Sequence, residues 1–308
     1  MVASDPQTPR VEVAGRTLKL SSLEKVMYPA TETTKGEILD YYARVSPVML
    51  THLQGRPVTR VRWPHGVTGQ SFFEKNLPSG APSWLDRVAI ETVVYPMVRD
   101  LADLTYLVNL NSLEFHTPQW CVTAPGLRAN PDRLVIDLDP GKPAGLTECC
   151  IVALLVRDRL GQLGMELFPV SSGSKGMQLY AALGGDLTSD QVRDLVAQLA
   201  QELTKQHPDL VVWKMTKSLR PGKVFLDWSQ NVAAKTTITP YSLRGTPAPW
   251  AAAPRTWAEV EAAAAGRGGI EQVLFDEVLE RLEIFGDLLA PLVRATPCLL
   301  YTSDAADE

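Results

Sequence analysis

The chain has 308 residues, of which 45% are hydrophobic and 21% are charged, and its formal net charge is −5. This composition is ordinary for a globular protein and excludes collagen, coiled-coil arrays and wholesale disorder, while the negative charge excludes a histone-like basic binder. The longest apolar run is too short to span a bilayer, and the first residues show no signal peptide. None of the four cysteines forms a C-x-x-C pair, so we expect a cytoplasmic protein without a disulfide framework or zinc site.

The N-terminal region of the chain has few clear periodic elements. Residues 1–15 are predicted to be a loose leader. Thr33 and Thr34 are predicted to cap a helix that begins at Lys35. The apolar residues on one stripe of this helix are Ile38, Leu39, Tyr42 and Val45. The following region, 55–130, is rich in proline and short apolar runs, so we predict strands and loops with one helix near 101–115.

From residue 134 the strand and helix patterns alternate regularly. The strand LVIDLDP precedes a helix that ends at Gly164 with Thr147 as its cap, and the strands LFPVS and MQLYAAL follow, joined by the turn SSGSKG. A helix with Thr188 and Gln191 at capping-box spacing then leads to the strands LVVWK and KVFLDW. The order β-α-β-β-α-β is that of the split-βαβ unit in RRM and ferredoxin-like folds.

These patterns predict an α+β fold in a single domain, 1–297. Its predicted regions are an N-terminal α/β portion, an RRM-like unit, and a linker with a C-terminal helix: 1–133, 134–245 and 246–297. The Pro/Ala-rich stretch 246–254 is the predicted linker, and the helix is expected near 270–290. The last residues, 298–308, look like a translated sequencing adapter and are predicted to be a non-native tail.

Basic residues are concentrated between residues 210 and 256. This stretch contains seven lysines and arginines and a single acid, Asp227, although the whole chain is acidic. A local basic surface on an acidic protein favours a phosphate-rich ligand over a membrane. A solvated face with scattered lysines is the other interpretation of the charge alone, but it does not explain the isolated acid.

Two further aspartates lie on the predicted strand LVIDLDP. Asp137 and Asp139 are two residues apart and share one face, with Cα atoms expected ~6.6 Å apart. Two like charges that close are costly unless a cation lies between them. The first strand of a split-βαβ sheet is central, so Asp227 on a neighbouring strand can join the pair. Three carboxylates predict a site for two Mg²⁺ or Mn²⁺ ions that supports nucleotidyl transfer, whereas D-x-D alone is also typical of surface aspartates.

The turn Ser171–Gly176, with the sequence SSGSKG, is a candidate phosphate-binding loop. Its glycines and serines allow backbone N–H groups to turn inward as an anion nest, and Lys175 adds a positive charge. It is not a Walker A motif, because the G-x-x-x-x-G-K spacing is absent and a strand follows. An ordinary hairpin turn is the other interpretation of this loop alone.

Four segments together carry a family resemblance: DLDP, SGSKGMQLY, MTKSLRPGKVFLDWSQN and KTTITPYSLRG. They resemble the polymerase domain of bacterial ATP-dependent DNA ligase D, including stand-alone actinobacterial members, in the archaeo-eukaryotic primase superfamily. The resemblance implies a primase-like fold and nucleotide addition at DNA breaks and short gaps, with ribonucleotides and Mn²⁺ preferred. The repair role that it implies is either end joining or excision repair. It also implies gapped or broken DNA with a 5′-phosphate as substrate, an ATP-dependent ligase and Ku as partners, and a nucleoid-associated location.

The resemblance assigns roles to individual residues. The metal ligands are Asp137, Asp139 and Asp227. The nucleotide-binding residues are Ser172, Lys175, Gln178, His116, Gln230 and Arg244. The DNA-binding residues are Lys25 and Lys35 at the 5′-phosphate, Phe72 and Phe73 on the template, and Arg220 on a loop that helps to arrange metal and primer. Taken alone, the histidine and the phenylalanines are more typical of structural residues, and the two lysines are typical of a solvated surface.

Two positions depart from the family pattern. Gln178 stands where the SGSKGxHxY motif has histidine; glutamine donates a hydrogen bond but carries no charge, which bears on triphosphate affinity and metal preference. Val61 stands where ligase D members have lysine. Both departures favour a stand-alone branch that works beside a separate ligase.

Two other classes of function compete with the polymerase. An RRM-like nucleic-acid-binding module without catalysis requires exposed aromatic side chains on the sheet face, where this chain places carboxylates. A Mn²⁺-dependent D-x-D nucleotide-sugar transferase explains neither Asp227 in its basic stretch nor the SGSKG loop.

Overall fold

The computed structural model of the chain describes residues 9–124 and 126–295. The α-helices in these ranges are α1 Lys35–Leu53, α2 Leu101–Asn109, α3 Leu146–Gly161, α4 Ser189–Gln206, α5 Trp257–Ala264, α6 Phe275–Phe285 and α7 Ala290–Ala295. Within the same ranges, no helix combines the length and the apolar character that a membrane crossing requires. The predicted tail 298–308 and the start of the predicted leader lie outside the described residues.

The strands are mostly short. Those of the N-terminal region are β1 Arg10–Val13, β2 Arg16–Lys19, β3 Val26–Tyr28, β4 Thr33–Thr34, β5 Thr59–Arg62, β6 Phe72–Glu74, β7 Arg87–Ile90, β8 Val93–Pro96, β9 Ser112–Thr117, β10 Trp120–Ala124 and β11 Leu127–Pro131. The others are β12 Arg133–Pro140, β13 Phe168–Ser171, β14 Met177–Ala182, β15 Val211–Val212, β16 Val224–Asp227, β17 Thr237–Ile238, β18 Trp250–Ala251, β19 Ala253–Pro254 and β20 Val273–Leu274. Two 3₁₀-helices, Lys217–Leu219 and Trp228–Asn231, flank β16.

Six strands form the main sheet in the order β15-β16-β12-β14-β13-β19. Strand β12 is antiparallel to both of its neighbours, so the first strand of the unit is central, as predicted. On one face, Leu134, Ile136 and Leu138 are buried in a core that also contains apolar residues of α3 and α4. The predicted α+β fold with a split-βαβ unit is therefore confirmed, and the alternate residues of β12 face away from these helices.

A second sheet, with the order β17-β9-β5-β6, lies in the same core as α1. Helix α1 begins where predicted, because the Thr34 side chain accepts the Glu37 N–H and the Glu37 side chain accepts the Thr34 N–H. Tyr42 and Val45 of its apolar stripe are buried with Val135, which lies on the other face of β12. The face of the main sheet that carries Asp137 and Asp139 therefore meets the second sheet.

The predicted N-terminal and α3 boundaries need correction. Residues 10–13 of the predicted leader pair with β2 in a hairpin. The helix expected near 101–115 ends at Asn109, because Asn111 adopts a left-handed φ of 64° and the chain turns into β9. Helix α3 begins after Gly145 rather than Thr147, since the Gly145 N–H donates to the Glu148 side chain. The helix ends at Gly161 rather than at Gly164.

The stretch predicted to be a linker belongs to the folded sheets. Strand β18 pairs with β20, and β19 pairs with β13 at the edge of the main sheet. Its small residues, Ala251 to Ala253, are buried, which explains why a compositionally simple segment packs so closely.

Cys149 and Cys150, on α3, are free and buried.

Candidate active site

A pocket of about 220 Å³ lies where the two sheets meet. It is bounded by residues of β9, β12, β14 and β17 and by the turn after β13. The predicted site residues that line it are His116, Asp137, Asp139, Ser172, Lys175, Gln178, Gln230 and Arg244. The fold thus gathers candidate metal-binding and nucleotide-binding residues from distant segments of the chain into one cleft.

Asp137 lies between two polar residues on the neighbouring strands. Its register partners are Gln178 of β14 and Asp227 of β16, so Asp227 does reach the strand that carries the other two aspartates. Burial raises the pKa of Asp137 to about 7, and the charges of Asp227 and Asp139 also raise it, although the Gln178 amide opposes them. Asp137 is therefore a half-buried carboxylate whose negative charge is unfavourable unless a cation lies beside it.

Asp139 is paired with two positive side chains. Lys175 Nζ lies 2.8 Å from Oδ1, and Arg220 Nη1 lies 3.4 Å from Oδ2. The Arg220 guanidinium also stacks on Phe225, 3.7 Å from the ring centroid, and donates to the Met215 carbonyl. Arg220 thus connects the basic loop before β16 to the carboxylate cluster.

Asp227 ends β16 and is held by the 3₁₀-helix that follows. Its Oδ1 accepts the Ser229 N–H at 2.9 Å and the Ser229 hydroxyl at 2.5 Å. Its Oδ2 accepts the Gln230 side-chain amide at 2.9 Å. Gln230, predicted to bind nucleotide, therefore also orients the third carboxylate.

The carboxylates fit divalent metal ions by their chemistry. Carboxylate oxygens are hard ligands of the kind Mg²⁺ and Mn²⁺ prefer, and the unfavourable charge of Asp137 favours a nearby cation. Within residues 9–124 and 126–295, no three His, Cys, Asp or Glu side chains are grouped closely enough to hold an ion. Since Asp139 contacts Lys175 and Arg220 and Asp227 contacts Ser229, metal binding requires these contacts to be exchanged.

The loop Ser171–Gly176 is closed on itself and differs from the predicted anion nest. Ser172 Oγ accepts the N–H groups of Ser174 at 3.3 Å and Gly176 at 3.2 Å. Because this oxygen already accepts two N–H groups, its own proton is left to donate to a ligand. The loop therefore offers a hydroxyl and the Lys175 ammonium group to a phosphate, rather than a set of inward-pointing N–H groups.

Gln178 is oriented by two hydrogen bonds. Its Nε2 donates to Asp137 Oδ1 at 3.2 Å, and its Oε1 accepts the Tyr180 hydroxyl at 3.0 Å. The Tyr180 hydroxyl is buried and also lies 3.2 Å from the Ile238 carbonyl. Gln178 therefore acts on Asp137 as a neutral donor held in place by the tyrosine.

Glu114 holds two predicted nucleotide-binding residues together. Its Oε2 is hydrogen-bonded to His116 Nε2 at 2.8 Å and to Arg244 Nη1 at 3.2 Å, and its Oε1 accepts the Gly245 N–H at 2.9 Å. Burial acts to raise the pKa of Glu114, but the hydrogen bond with His116 and the charge of Arg244 outweigh it, and the net pKa is lowered. An ionised Glu114 thus fixes both side chains at the edge of the pocket.

The predicted template-stacking residues lie beside this edge. Phe72 and Phe73, on the edge strand β6, are 40% and 58% exposed. The Phe73 ring meets the His116 ring edge-on, with centroids 6.3 Å apart. Exposed aromatic rings next to a polar pocket are available to stack on nucleic-acid bases.

Lys25 and Lys35 lie together, away from the pocket. The Lys35 N–H donates to the Lys25 carbonyl at 2.8 Å, and Lys35 Nζ donates to the Asn109 carbonyl at 2.6 Å. Burial lowers the pKa of Lys35 to about 8, and the charge of Lys25 contributes. The two ammonium groups contact neutral oxygens, Lys25 the Pro64 carbonyl and Lys35 also Ser21 Oγ, so this pair is a cationic site of its own.

Two residues of this site were missed by the sequence reasoning. Glu114 lies two positions from His116, and Tyr180 lies two positions from Gln178, each on the same strand face. Because residues two positions apart on a strand share a face, the sequence positions of His116 and Gln178 already indicate Glu114 and Tyr180 as their neighbours.

A family model described as "LigD, primase-polymerase domain" matches residues 34–289. The chain belongs to this family. It is 48% identical over 284 residues to the multifunctional non-homologous end joining protein LigD of Mycolicibacterium smegmatis, covering 91% of this chain and 36% of that protein. Identity to the bifunctional LigD of Bacillus subtilis is 31% over 269 residues, covering 86% of this chain and 42% of that protein.

The structural comparison agrees. The fold matches the polymerase domain from Mycobacterium tuberculosis Ligase D in complex with DNA, with a TM-score of 0.85 and 46% identity, covering 91% of this chain and 99% of that one. The resemblance carried by the four motifs is confirmed, and the LigD-type chain is a nucleotidyltransferase of the primase-polymerase class. It spans less than half the length of the LigD relatives.

Proposed function

We propose that this LigD-type domain fills short gaps and extends ends at DNA breaks, with ribonucleotides preferred over deoxyribonucleotides and Mn²⁺ preferred over Mg²⁺. The observation that carries the proposal is the arrangement of the pocket. The β12 carboxylates Asp137 and Asp139 line the pocket together with the Ser172–Lys175 segment and His116. Asp227 of β16 does not line the pocket but pairs with Asp137, and the Phe73 ring packs against His116. Templated nucleotide addition needs these three elements side by side: metal ligands, phosphate donors and a surface for bases.

The proposed metal ligands are Asp137, Asp139 and Asp227. Two divalent ions at such a site, when bound, activate the primer 3′-hydroxyl and neutralise charge on the phosphates. Within the proposed division of the chain, the RRM-like unit 134–245 carries these ligands, and the N-terminal α/β portion carries most of the residues proposed to bind DNA.

The ion pair between Lys175 and Asp139 links nucleotide binding to the release of a carboxylate. Lys175 is largely exposed, so its ammonium group can turn from Asp139 to a triphosphate oxygen. A triphosphate that draws Lys175 away removes one of the two cations paired with Asp139. Ser172 donates its hydroxyl to the same triphosphate, and Glu114 keeps His116 and Arg244 directed toward the nucleotide.

DNA contacts are proposed on both sides of this pocket. Phe72 and Phe73 stack on template bases, and Lys25 and Lys35 bind the 5′-phosphate across the gap. The M. tuberculosis relative is named as a complex with DNA, which supports DNA as the ligand of this chain. We further propose, from the end-joining names of the relatives, that an ATP-dependent ligase and Ku act with this domain in the nucleoid.

Primer extension on a short-gapped duplex with a 5′-phosphate tests the proposal. Ribonucleotides and deoxyribonucleotides are compared in Mn²⁺ and in Mg²⁺, with Asp139→Ala beside wild type and Asp209→Ala, an exposed aspartate, as the matched control. We expect template-directed filling that is faster with ribonucleotides and Mn²⁺ and is lost only in Asp139→Ala. Gap binding by wild type without incorporation contradicts the polymerase and instead supports an RRM-like binding module.

A further inference from the structure

Gln272 reaches the Ser171–Gly176 loop from a distant segment of the chain. It lies 99 residues beyond Gly173, immediately before β20. Its Oε1 accepts the Gly173 N–H at 2.7 Å, and its Nε2 donates to the Gly176 carbonyl at 3.0 Å. One side-chain amide therefore bridges the two ends of the turn that carries Lys175.

The backbone that presents Gln272 is fixed on both sides. The preceding residue, Glu271, has its carbonyl bound by the guanidinium of Arg255, whose Nε also donates to Ser171 Oγ at 3.2 Å. The following residue, Val273, pairs with Ala251 in the β18–β20 ladder. Because the main chain is anchored before and after it, the amide of Gln272 has a defined position relative to the loop.

The loop itself is packed tightly against the nucleotide side of the pocket. Gly173 has a left-handed φ of +70°, and a Cβ there would lie 2.7 Å from Arg244 Cγ and 2.8 Å from the Ala251 main chain. A Cβ at Gly176 would lie 2.1 Å from the Leu138 carbonyl oxygen. A change in the shape of this turn therefore changes where its phosphate donors lie relative to the carboxylates of β12.

We propose that Gln272 is a positioning residue for nucleotide binding. It holds the turn so that Ser172 and Lys175 meet the triphosphate of the incoming nucleotide, and it acts through the loop without touching the nucleotide. The inference rests on the proposed function, because the triphosphate is the ligand assigned to this loop. The carboxylates lie on other strands, so loss of Gln272 weakens nucleotide binding and leaves the chemical step almost unchanged.

The test compares Gln272→Met, which keeps the length but removes both hydrogen bonds, with Gln206→Met. Gln206 is exposed at the end of α4, and within the described part of the chain its side chain bonds to Glu202, away from the pocket, so it is a matched control. Nucleotide KM and kcat are measured by single-nucleotide gap filling, and Kd by titration with a triphosphate in the absence of DNA. Hydrogen exchange of the Gly173 amide directly reports the hydrogen bond that this amide donates to Gln272.

For Gln272→Met we expect KM and Kd to rise about thirtyfold, as the loss of two net hydrogen bonds of ordinary strength implies, with kcat within about twofold of wild type. Exchange at Gly173 is expected to accelerate in this variant and not in Gln206→Met. A Gln272→Met protein with wild-type KM and Kd overturns the inference, as does an equal loss in kcat. A wild-type chain that binds triphosphate but adds no nucleotide overturns the proposed function instead, and the Kd of the two variants still decides the role of Gln272.

Discussion

Glu114→Gln tests whether the contacts of Glu114 set nucleotide affinity. The carboxylate is 12% exposed and bonds to His116, Arg244 and the Gly245 N–H at 2.8, 3.2 and 2.9 Å. Glutamine keeps one acceptor oxygen and places an NH₂ group where the other oxygen was, so at least one charge-assisted hydrogen bond is lost. Such a bond contributes about 1.5–3 kcal/mol, and we expect the free energy of unfolding to fall by about 2 kcal/mol.

The functional consequence is a rise in nucleotide KM. If one charge-assisted contact between Arg244 and the nucleotide is misplaced, the loss of about 1.5 kcal/mol corresponds to roughly tenfold in KM, with a smaller change in kcat. The folded-state pKa of Glu114 is lowered, so its stabilising contribution is present above the ordinary glutamate pKa of 4.5 and is lost as pH falls through the lower folded value. The assays at neutral pH therefore measure the ionised form.

Single-nucleotide gap filling gives KM and kcat, and urea unfolding gives the free energy of unfolding. The matched control is Glu91→Gln, because Glu91 also accepts from an arginine, Arg128, at 2.6 Å but is exposed. We expect this control to change stability by less than about 0.5 kcal/mol and to leave KM unaltered. A Glu114→Gln enzyme with the KM of the control would refute the reasoning.

Three other variants give independent checks. Ser172→Ala removes the hydroxyl donor and the acceptor of two backbone N–H groups, so nucleotide KM should rise about tenfold; an unchanged KM contradicts the role of this hydroxyl. Lys35→Ala should abolish the preference for gaps with a 5′-phosphate over gaps with a 5′-hydroxyl, measured by gap binding. In wild type this preference should fall as pH rises through the Lys35 pKa of about 8, because the ammonium group loses its charge, and a pH-independent preference contradicts the assignment. Gly176→Ala, whose Cβ would meet the Leu138 carbonyl, should lower the free energy of unfolding by about 2–3 kcal/mol in urea denaturation. Gly268→Ala, whose Cβ would lie in open space, should leave it unchanged, and equal free energies of unfolding for the two variants would contradict the packing.

The elements of the fold that were predicted correctly depend on local signals. The capping boxes at Thr34 and Thr188 and the alternation of LVIDLDP each specify their element within a few residues. The order of these elements then fixes the central position of β12, because the split-βαβ unit has one strand arrangement. This explains why the approach of Asp227 to Asp137 was predictable from the sequence.

The elements that were predicted wrongly depend on long-range pairing. Nothing near residues 246–254 indicates that they pair with β20 and β13, so composition alone suggested a linker. The anion nest was also wrong, because Ser172 Oγ accepts two of the loop N–H groups and the Gly173 N–H is bound by a glutamine 99 residues away. Spacing predicts which residues share a face, but not which partner a polar group finds.

The pairing of Asp139 with cations had no sequence signal either. Arg220 and Lys175 lie on separate loops, and only the packing of the basic loop onto β12 brings the arginine to the carboxylate. The sequence predicted three carboxylates that need positive charge, and the structure shows side chains already supplying it at one of them.

The most direct test of the central claim is Asp137→Asn, measured for incorporation and for thermal stability. Asparagine has the same shape but no charge, and the charge of Asp137 is disfavoured by burial and by the neighbouring aspartates. We predict that nucleotide incorporation on the gapped duplex is lost, that gap binding is retained, and that the melting temperature is equal to or above that of wild type. Incorporation at the wild-type rate by Asp137→Asn would contradict the assignment of this carboxylate cluster as the site of nucleotidyl transfer.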